Sequence, residues 1–274
     1  MAIASYLTDS RKSLEACSRS RQSAVPYGDG KVLCHVLGDY LMMVGVDDLI
    51  IGPRLALDGF WEPWVSLVVG RYLSPGMRCV DVGANYGYYS ILMRSGCGSS
   101  GYVLACEPNP IMTKKYLPNN FYLNGFFNGV EISELAIIDR EDTVEFVVSN
   151  SFSGSSGLKQ FNEALDGDSY RVRGTTLDNL VLDWPRLDLV KIDVEGADLL
   201  VWNGMQTSLR RFSNVVVILE VHLGNPDQSR ELLSSITDNK YLLQYINYDG
   251  DIKRVEAKKI LDNPNEHWAL WIQK

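Results

Sequence analysis

After Pro75–Gly76 the chain settles into one repeating order, strand then helix, and that alternation restricts its fold more than any other feature. "MRCVDVG" is strand-like and "YYSILMRS" helical, with the helix expected from about Tyr86. "GYVLACEPN" and "PIMTKKYLPNNFYLNG" repeat the order, and "GVEISELAI" is again a strand. Further on, "LDLVKIDVE" and "NVVVILEVH" are strands flanking the helix "ADLLVWNGMQTSLRRF", and "DQSRELLSSIT" is helical. Strands joined by helical crossovers run parallel, so the expectation is an α/β fold: a mainly parallel sheet with helices on both faces. "YLLQYINYDGD" and "HWALWIQK" have no helix-sized crossover between them and are expected to pair antiparallel. "EDTVEFVVSN" reads as an additional strand before the small-residue loop "SFSGSSG", a candidate lid, and Thr176 is placed to cap a short helix.

Upstream, "KVLCHVLGDYLMMVGVDD" alternates like a hairpin about Gly38–Asp39, and "GFWEPWVSLVVGRYLSPG" reads as a helix with Pro63 in its first turn. Residues 1–55 are expected to form an N-terminal extension, partly strand and partly helical, ahead of a main domain over 56–274. The 274 residues carry a net charge of −8, which argues against long nucleic-acid backbone as a partner, since that needs clustered Lys and Arg. No apolar run approaches the ~20 residues that span a bilayer, and the first residues lack the apolar segment of a signal peptide. The five cysteines form no C-x-x-C pair and are expected as reduced thiols, consistent with a cytoplasmic protein.

The first chemical signal is "VDVGANYGYYS". A strand ending near Asp81 is followed by a turn in which Gly83 and Gly87 allow the backbone to approach a ligand, with Ala84, Asn85 and Tyr86 between them. Glu107, in "CEPNP", lies at the end of the next strand, where an acid can accept the hydroxyl protons of a ribose. A dinucleotide turn prefers glycine where Asn85 stands, and an acid opening the turn repels pyrophosphate but tolerates a cationic amino acid. Both points favour S-adenosylmethionine over NAD.

The second signal is "LVKIDVEGADLL". Lys191, Asp193 and Glu195 alternate and so share one face of a strand. Ligands in open α/β sheets lie beyond the carboxyl ends of strands, which puts Asp193, Glu195, Glu220 and His222 at one crevice. His222, with an ordinary pKa near 6.5, is the candidate proton acceptor. Lys191 is expected to pair with a carboxylate such as Glu220, and His35 and His267 are expected to be structural.

"DVGANYGYYS", "EPNP", "TTLDNL" and "KIDVEGAD", in this order and spacing, resemble the FkbM-type methyltransferases of the class I fold, from about Gly59 onward. The resemblance implies a Rossmann-like, seven-stranded sheet of order 3-2-1-4-5-7-6 with strand seven antiparallel. It also implies O-methylation by S-adenosylmethionine of a hydroxyl on a sugar, glycolipid or polyketide-type product. Asp81, the turn residues, Glu107, Pro108, Asn109 and Ala136 would hold the cofactor, with Asp193, Glu195 and Glu62 toward its methionine end. Asp193, Glu220 and His222 would serve the transfer. Three other readings stay open at this point: a magnesium-assisted enzyme using Asp193 and Glu220, a non-catalytic cofactor-binding module, and an NAD-dependent oxidoreductase.

Overall fold

The computed structural model describes residues 9–162 and 165–274. Ser10 caps helix α1 (Arg11–Ser20), which buries Leu14. Strands β1 (Ala24–Pro26), β2 (Lys31–Val36) and β3 (Tyr40–Gly45) form a small antiparallel sheet, with β2 and β3 hairpinned about Gly38–Asp39 as expected. Helices α2 (Ile51–Asp58) and α3 (Pro63–Tyr72) follow. The outer edge of β3 pairs with side chains instead of a strand. Asn120 exchanges bonds with the Met43 N–H and C=O, and Asn124 with those of Leu41. An amide side chain presents a donor and an acceptor together, which is what an open strand edge offers.

The repeating region begins with β4 (Arg78–Val82), α4 (Tyr88–Cys97) and β5 (Tyr102–Cys106). The helix starts two residues later than expected because Gly87, at φ 89°, is its N-cap. A π-turn over Met112–Tyr116 runs into α5 (Leu117–Leu123), which carries Asn120. The segment expected as one strand, 129–137, divides: β6 (Val130–Ser133) joins the main sheet, while β7 (Ala136–Ile137) joins a second one. That second sheet adds β8 (Asp142–Ser149), β9 (Gly157–Leu158) and β10 (Gly167–Thr175) in the order β7-β10-β8-β9. Thr176 accepts the Asn179 N–H and caps α6 (Leu177–Leu180).

Then come β11 (Leu189–Ile192), α7 (Asp198–Asn203), α8 (Gln206–Arg211), β12 (Val216–Glu220) and α9 (Pro226–Asp238). The chain ends with β13 (Leu242–Ile246), β14 (Ile252–Arg254), α10 (Ala257–Leu261) and β15 (Ala269–Gln273). Among the described residues the main sheet has eight strands, not seven, in the order β14-β13-β15-β12-β11-β4-β5-β6. It is mixed: β6, β5, β4, β11 and β12 pair parallel, and β15 runs antiparallel to both β12 and β13. The extra strand arises because the Asn247 side chain accepts the Asp249 and Asp251 N–H groups, folding the chain back so that β14 pairs with β13. Short, exposed and carrying Lys253 and Arg254, β14 is a protected edge.

Strand alternation sorts the core into two layers. Cys79, Val103, Leu189 and Ile218 pack with α3, α4 and α5, and the hairpin residues Val36 and Met42 join that same cluster. Val80, Leu104, Val190 and Leu219 pack with α7, α8 and α9 on the other face. By the same alternation Asp81, Glu107, Lys191 and Glu220 fall on the α3–α4 side, at or just past the carboxyl ends of four neighbouring strands.

Candidate active site

A cleft opens beyond those strand ends. Glycine is required at one point of its floor: a Cβ on Gly83 would lie 1.8 Å from the Asp193 carbonyl oxygen. The close approach joins the glycine turn after β4 to the acidic segment after β11. Glu107 Oε2 accepts the Asn85 N–H and Oε1 the Asn109 N–H, each at 2.8 Å. These bonds fix the carboxylate's plane and leave further lone pairs on both oxygens for ligand hydroxyls. Burial nevertheless raises the Glu107 pKa to about 7, against those two N–H groups.

Strand β11 stops at Ile192, so Asp193 and Glu195 lie in the loop beyond it. Glu195 reaches its place at φ 49°, with Gly196 at φ 98°. Lys191, 3% exposed, points onto the Tyr89 ring at 4.4 Å. Its ammonium bonds Asp193 Oδ2 at 3.2 Å, so its partner is Asp193 and not Glu220. Lys191 lies opposite Asp81 in the parallel register, and Asp81 is itself bonded by the Ser90 hydroxyl. Burial works against the Asp193 charge, but Lys191 and then His222 hold it below the ordinary carboxylate range.

Glu220 bonds His267 instead. His267 Nε2 stands 2.6 Å from Glu220 Oε1 and 3.0 Å from Glu62 Oε1. His267, expected to be structural, joins the strand-end cluster. The antiparallel register explains its place: Ala269 lies opposite Glu220, so the residues just before β15 arrive where β12 ends. Glu62 is the N-cap of α3 at φ 39° but makes no capping bond; its Oε2 accepts from the Tyr89 hydroxyl at 2.7 Å. Burial raises the Glu220 pKa to about 7, with Asp193 and Glu62 adding to it.

His222 occupies a different environment from the one its sequence position suggested. Its Nε2 is 3.0 Å from Glu195 Oε2, and its backbone N–H donates to buried Asp198. Burial opposes the imidazolium, but Glu195 and then Asp198 outweigh it and raise the pKa to about 10. At neutral pH this side chain already carries the proton it was expected to accept.

Of the expected cofactor positions, Gly83, Ala84, Asn85, Tyr86, Glu107, Pro108, Asn109, Ala136, Asp193, Glu195 and Glu62 all line the cleft. Asp81, Gly87 and His222 are not among the lining residues. The cleft also has walls that the sequence did not single out: Ile51 and Leu55 from α2, and Phe146 and Leu158 from the second sheet. The expected lid segment lines the cleft through Phe152, Ser153, Gly154 and Ser156 and is tied in place. Ser153 Oγ accepts from Asn85 Nδ2 at 3.1 Å and donates to Asp48, and the Leu49 N–H reaches the Ser151 carbonyl. Asn85, Glu62 and Glu195, three non-glycine residues with positive φ, all line this one cleft. Backbone strain of ~1–3 kcal/mol per residue persists where the surroundings enforce it, and it gathers at functional sites.

Residues 81–252 match the methyltransferase FkbM domain. The ribosomal RNA large subunit methyltransferase E of Acinetobacter baylyi is 35% identical over 97 residues, 35% of this chain and 42% of that protein. The chain thus spans less than half the length of that curated relative. Among solved structures, a methyltransferase FkbM from Methylobacillus flagellatus KT aligns over 77% of this chain and 54% of its own, at 12% identity and a TM-score of 0.48. An O-methyltransferase from Bacillus cereus in complex with SAH aligns over 71% of each chain, at 12% identity and a TM-score of 0.40. Structural likeness this distant carries no information about activity.

Proposed function

The chain belongs to the FkbM methyltransferase family, and on that premise we propose that it is an S-adenosylmethionine-dependent O-methyltransferase. Its acceptor is read as a hydroxyl of a sugar, glycolipid or polyketide-type product. The observation that carries the cofactor is the fixed Glu107 carboxylate beside the Gly83 turn, with both oxygens anchored and both able to accept more. Two further atoms fit a polar ligand: Asn85 Oδ1 and Asn109 Nδ2 are buried in the cleft lining without a partner among the described residues. Glu107 would take the ribose hydroxyls, and Pro108, Asn109 and Ala136 the base. The Gly83–Tyr86 turn, Asp193, Glu195 and Glu62 would face the methionine part, with Asp81 supporting the turn from below.

When bound, S-adenosylmethionine would supply an electrophilic methyl group to the acceptor oxygen, its sulfur keeping the electron pair of the carbon–sulfur bond that is given up. The protein's share is alignment, plus a place for the hydroxyl proton. Glu220 is the cleft carboxylate placed to receive that proton. Lys191 neutralises Asp193, and His222 holds Glu195 in position as a donor.

The test incubates the purified chain with cofactor labelled in its methyl group and a cell extract, followed by mass spectrometry of the extract. A product gaining one labelled methyl on oxygen supports the reading. Tight binding of S-adenosylhomocysteine with no labelled product from any extract would instead mark a non-catalytic binding module.

A further inference from the structure

Glu62, Glu220 and His267 come from three distant parts of the chain: the N-cap of α3, the end of β12 and the approach to β15. One ligand atom from each lies within 4.8 Å of those of the other two. The imidazole nitrogen already sits 3.0 and 2.6 Å from the two oxygens. Donors bound at 2.0–2.2 Å to one ion stand about 3–3.4 Å apart, so an ion replacing the Nε2 proton needs only a small outward shift.

We propose that Glu62, Glu220 and His267 form a site for one divalent transition-metal ion of the zinc or manganese class, opening onto the cleft. Charge supports it. Lys191 bonds Asp193 and acts on Glu62 and Glu220 only through space, so in direct contact the two carboxylates meet a single imidazole, and a dication with neutral His267 would balance them. The surroundings also orient the ligands. The Tyr89 hydroxyl holds Glu62 Oε2 at 2.7 Å and leaves Oε1 free to bind, and the Trp64 ring packs edge-on to His267 with centroids 5.7 Å apart. Partners of this kind fix ligand orientation in metal sites.

The donor set selects the ion. Magnesium and calcium take oxygen ligands, whereas an imidazole beside two carboxylates suits a first-row transition ion. Asp193, which the sequence suggested as a ligand, is absent from the set because Lys191 holds it. Three protein ligands leave a coordination position open, as in catalytic sites. Glu62 and Glu220 line the cleft, so that position faces it. What the ion would do there, binding the acceptor oxygen while the second oxygen of Glu220 takes its proton, rests on the methyl-transfer reading. Its binding does not.

The experiment titrates cobalt(II), as a coloured stand-in, into the chelator-treated full chain with neither cofactor nor acceptor present. Visible absorption and calorimetry report binding. The expected result is one equivalent bound, with affinity reduced at least about tenfold by Glu62→Gln and again by His267→Ala, and unchanged by His35→Ala. No uptake by the wild-type chain up to millimolar cobalt overturns the site. So does uptake that survives in every folded ligand variant, Glu220→Gln included, which keeps the test open if one variant fails to fold. S-adenosylhomocysteine binding is measured separately. Its loss with cobalt uptake intact would count against the methyltransferase reading alone, and the converse against the metal site alone.

Discussion

Glu107 joins two demands that pull in opposite directions. Burial raises its pKa to about 7, while hydroxyl donors of a bound ribose favour the ionised form. Cofactor binding therefore releases a proton wherever free Glu107 holds one. S-adenosylhomocysteine affinity is expected to be flat above pH 7 and to fall about tenfold per pH unit below it, a slope absent in Glu107→Ala. That variant should also lose ~1.5–3 kcal/mol of binding at pH 8. Calorimetry across pH checks both, and a wild-type affinity that stays level from pH 8 to pH 5 would remove the clamp assignment. Lys191 is the opposite case, a charge whose removal harms the fold. Lys191→Met leaves Asp193 and Asp81 without their buried cation and should cost about 3–5 kcal/mol in denaturant unfolding. A variant as stable as wild type would mean that the two carboxylates take up protons at no cost.

At the scale of elements, the parts legible in the sequence were those encoded locally. Gly83 and Gly87 announce the turn, the apolar runs announce β4, β5, β11 and β12, and Glu107 follows its strand directly. What escaped was set by pairings distant in sequence. His267 looked structural because nothing in "NEHWALW" says which strand end it will meet; the β12–β15 register decides that. The charge state of His222 depends on Glu195 and Asp198, each more than twenty residues earlier. The edge of β3 likewise depends on α5. Asn120 serves the Met43 N–H and C=O together with the Tyr86 carbonyl, and it is fully buried. Asn120→Leu strands three buried backbone groups and is expected to cost roughly 3 kcal/mol or more, while half-buried Asn124→Leu costs less. Thermal unfolding of the pair tests the order. Because Tyr86 belongs to the cleft, Asn120→Leu should also weaken S-adenosylhomocysteine binding.

Across the whole molecule, the cleft takes its walls from α2, the glycine turn, the second sheet and the ends of four strands of the main one. No short fragment contains it. A chain stopped after Trp268 lacks β15, which separates β12 from β13 and supplies Leu270 and Ile272 to the core. It is expected to be insoluble or to show a flat thermal transition, and a soluble product that binds S-adenosylhomocysteine normally would contradict this. The same topology sets a problem of timing. As the chain leaves the ribosome, β13 emerges before the strand that must lie between it and β12. Until β15 arrives, β12 shows an open ladder and an apolar surface to a neighbour it must not join directly, and a premature β12–β13 pairing has to come apart before the sheet can close. Strand insertion, and not helix docking, is thus the step at which a newly made chain is most exposed to misfolding and to pairing with other chains.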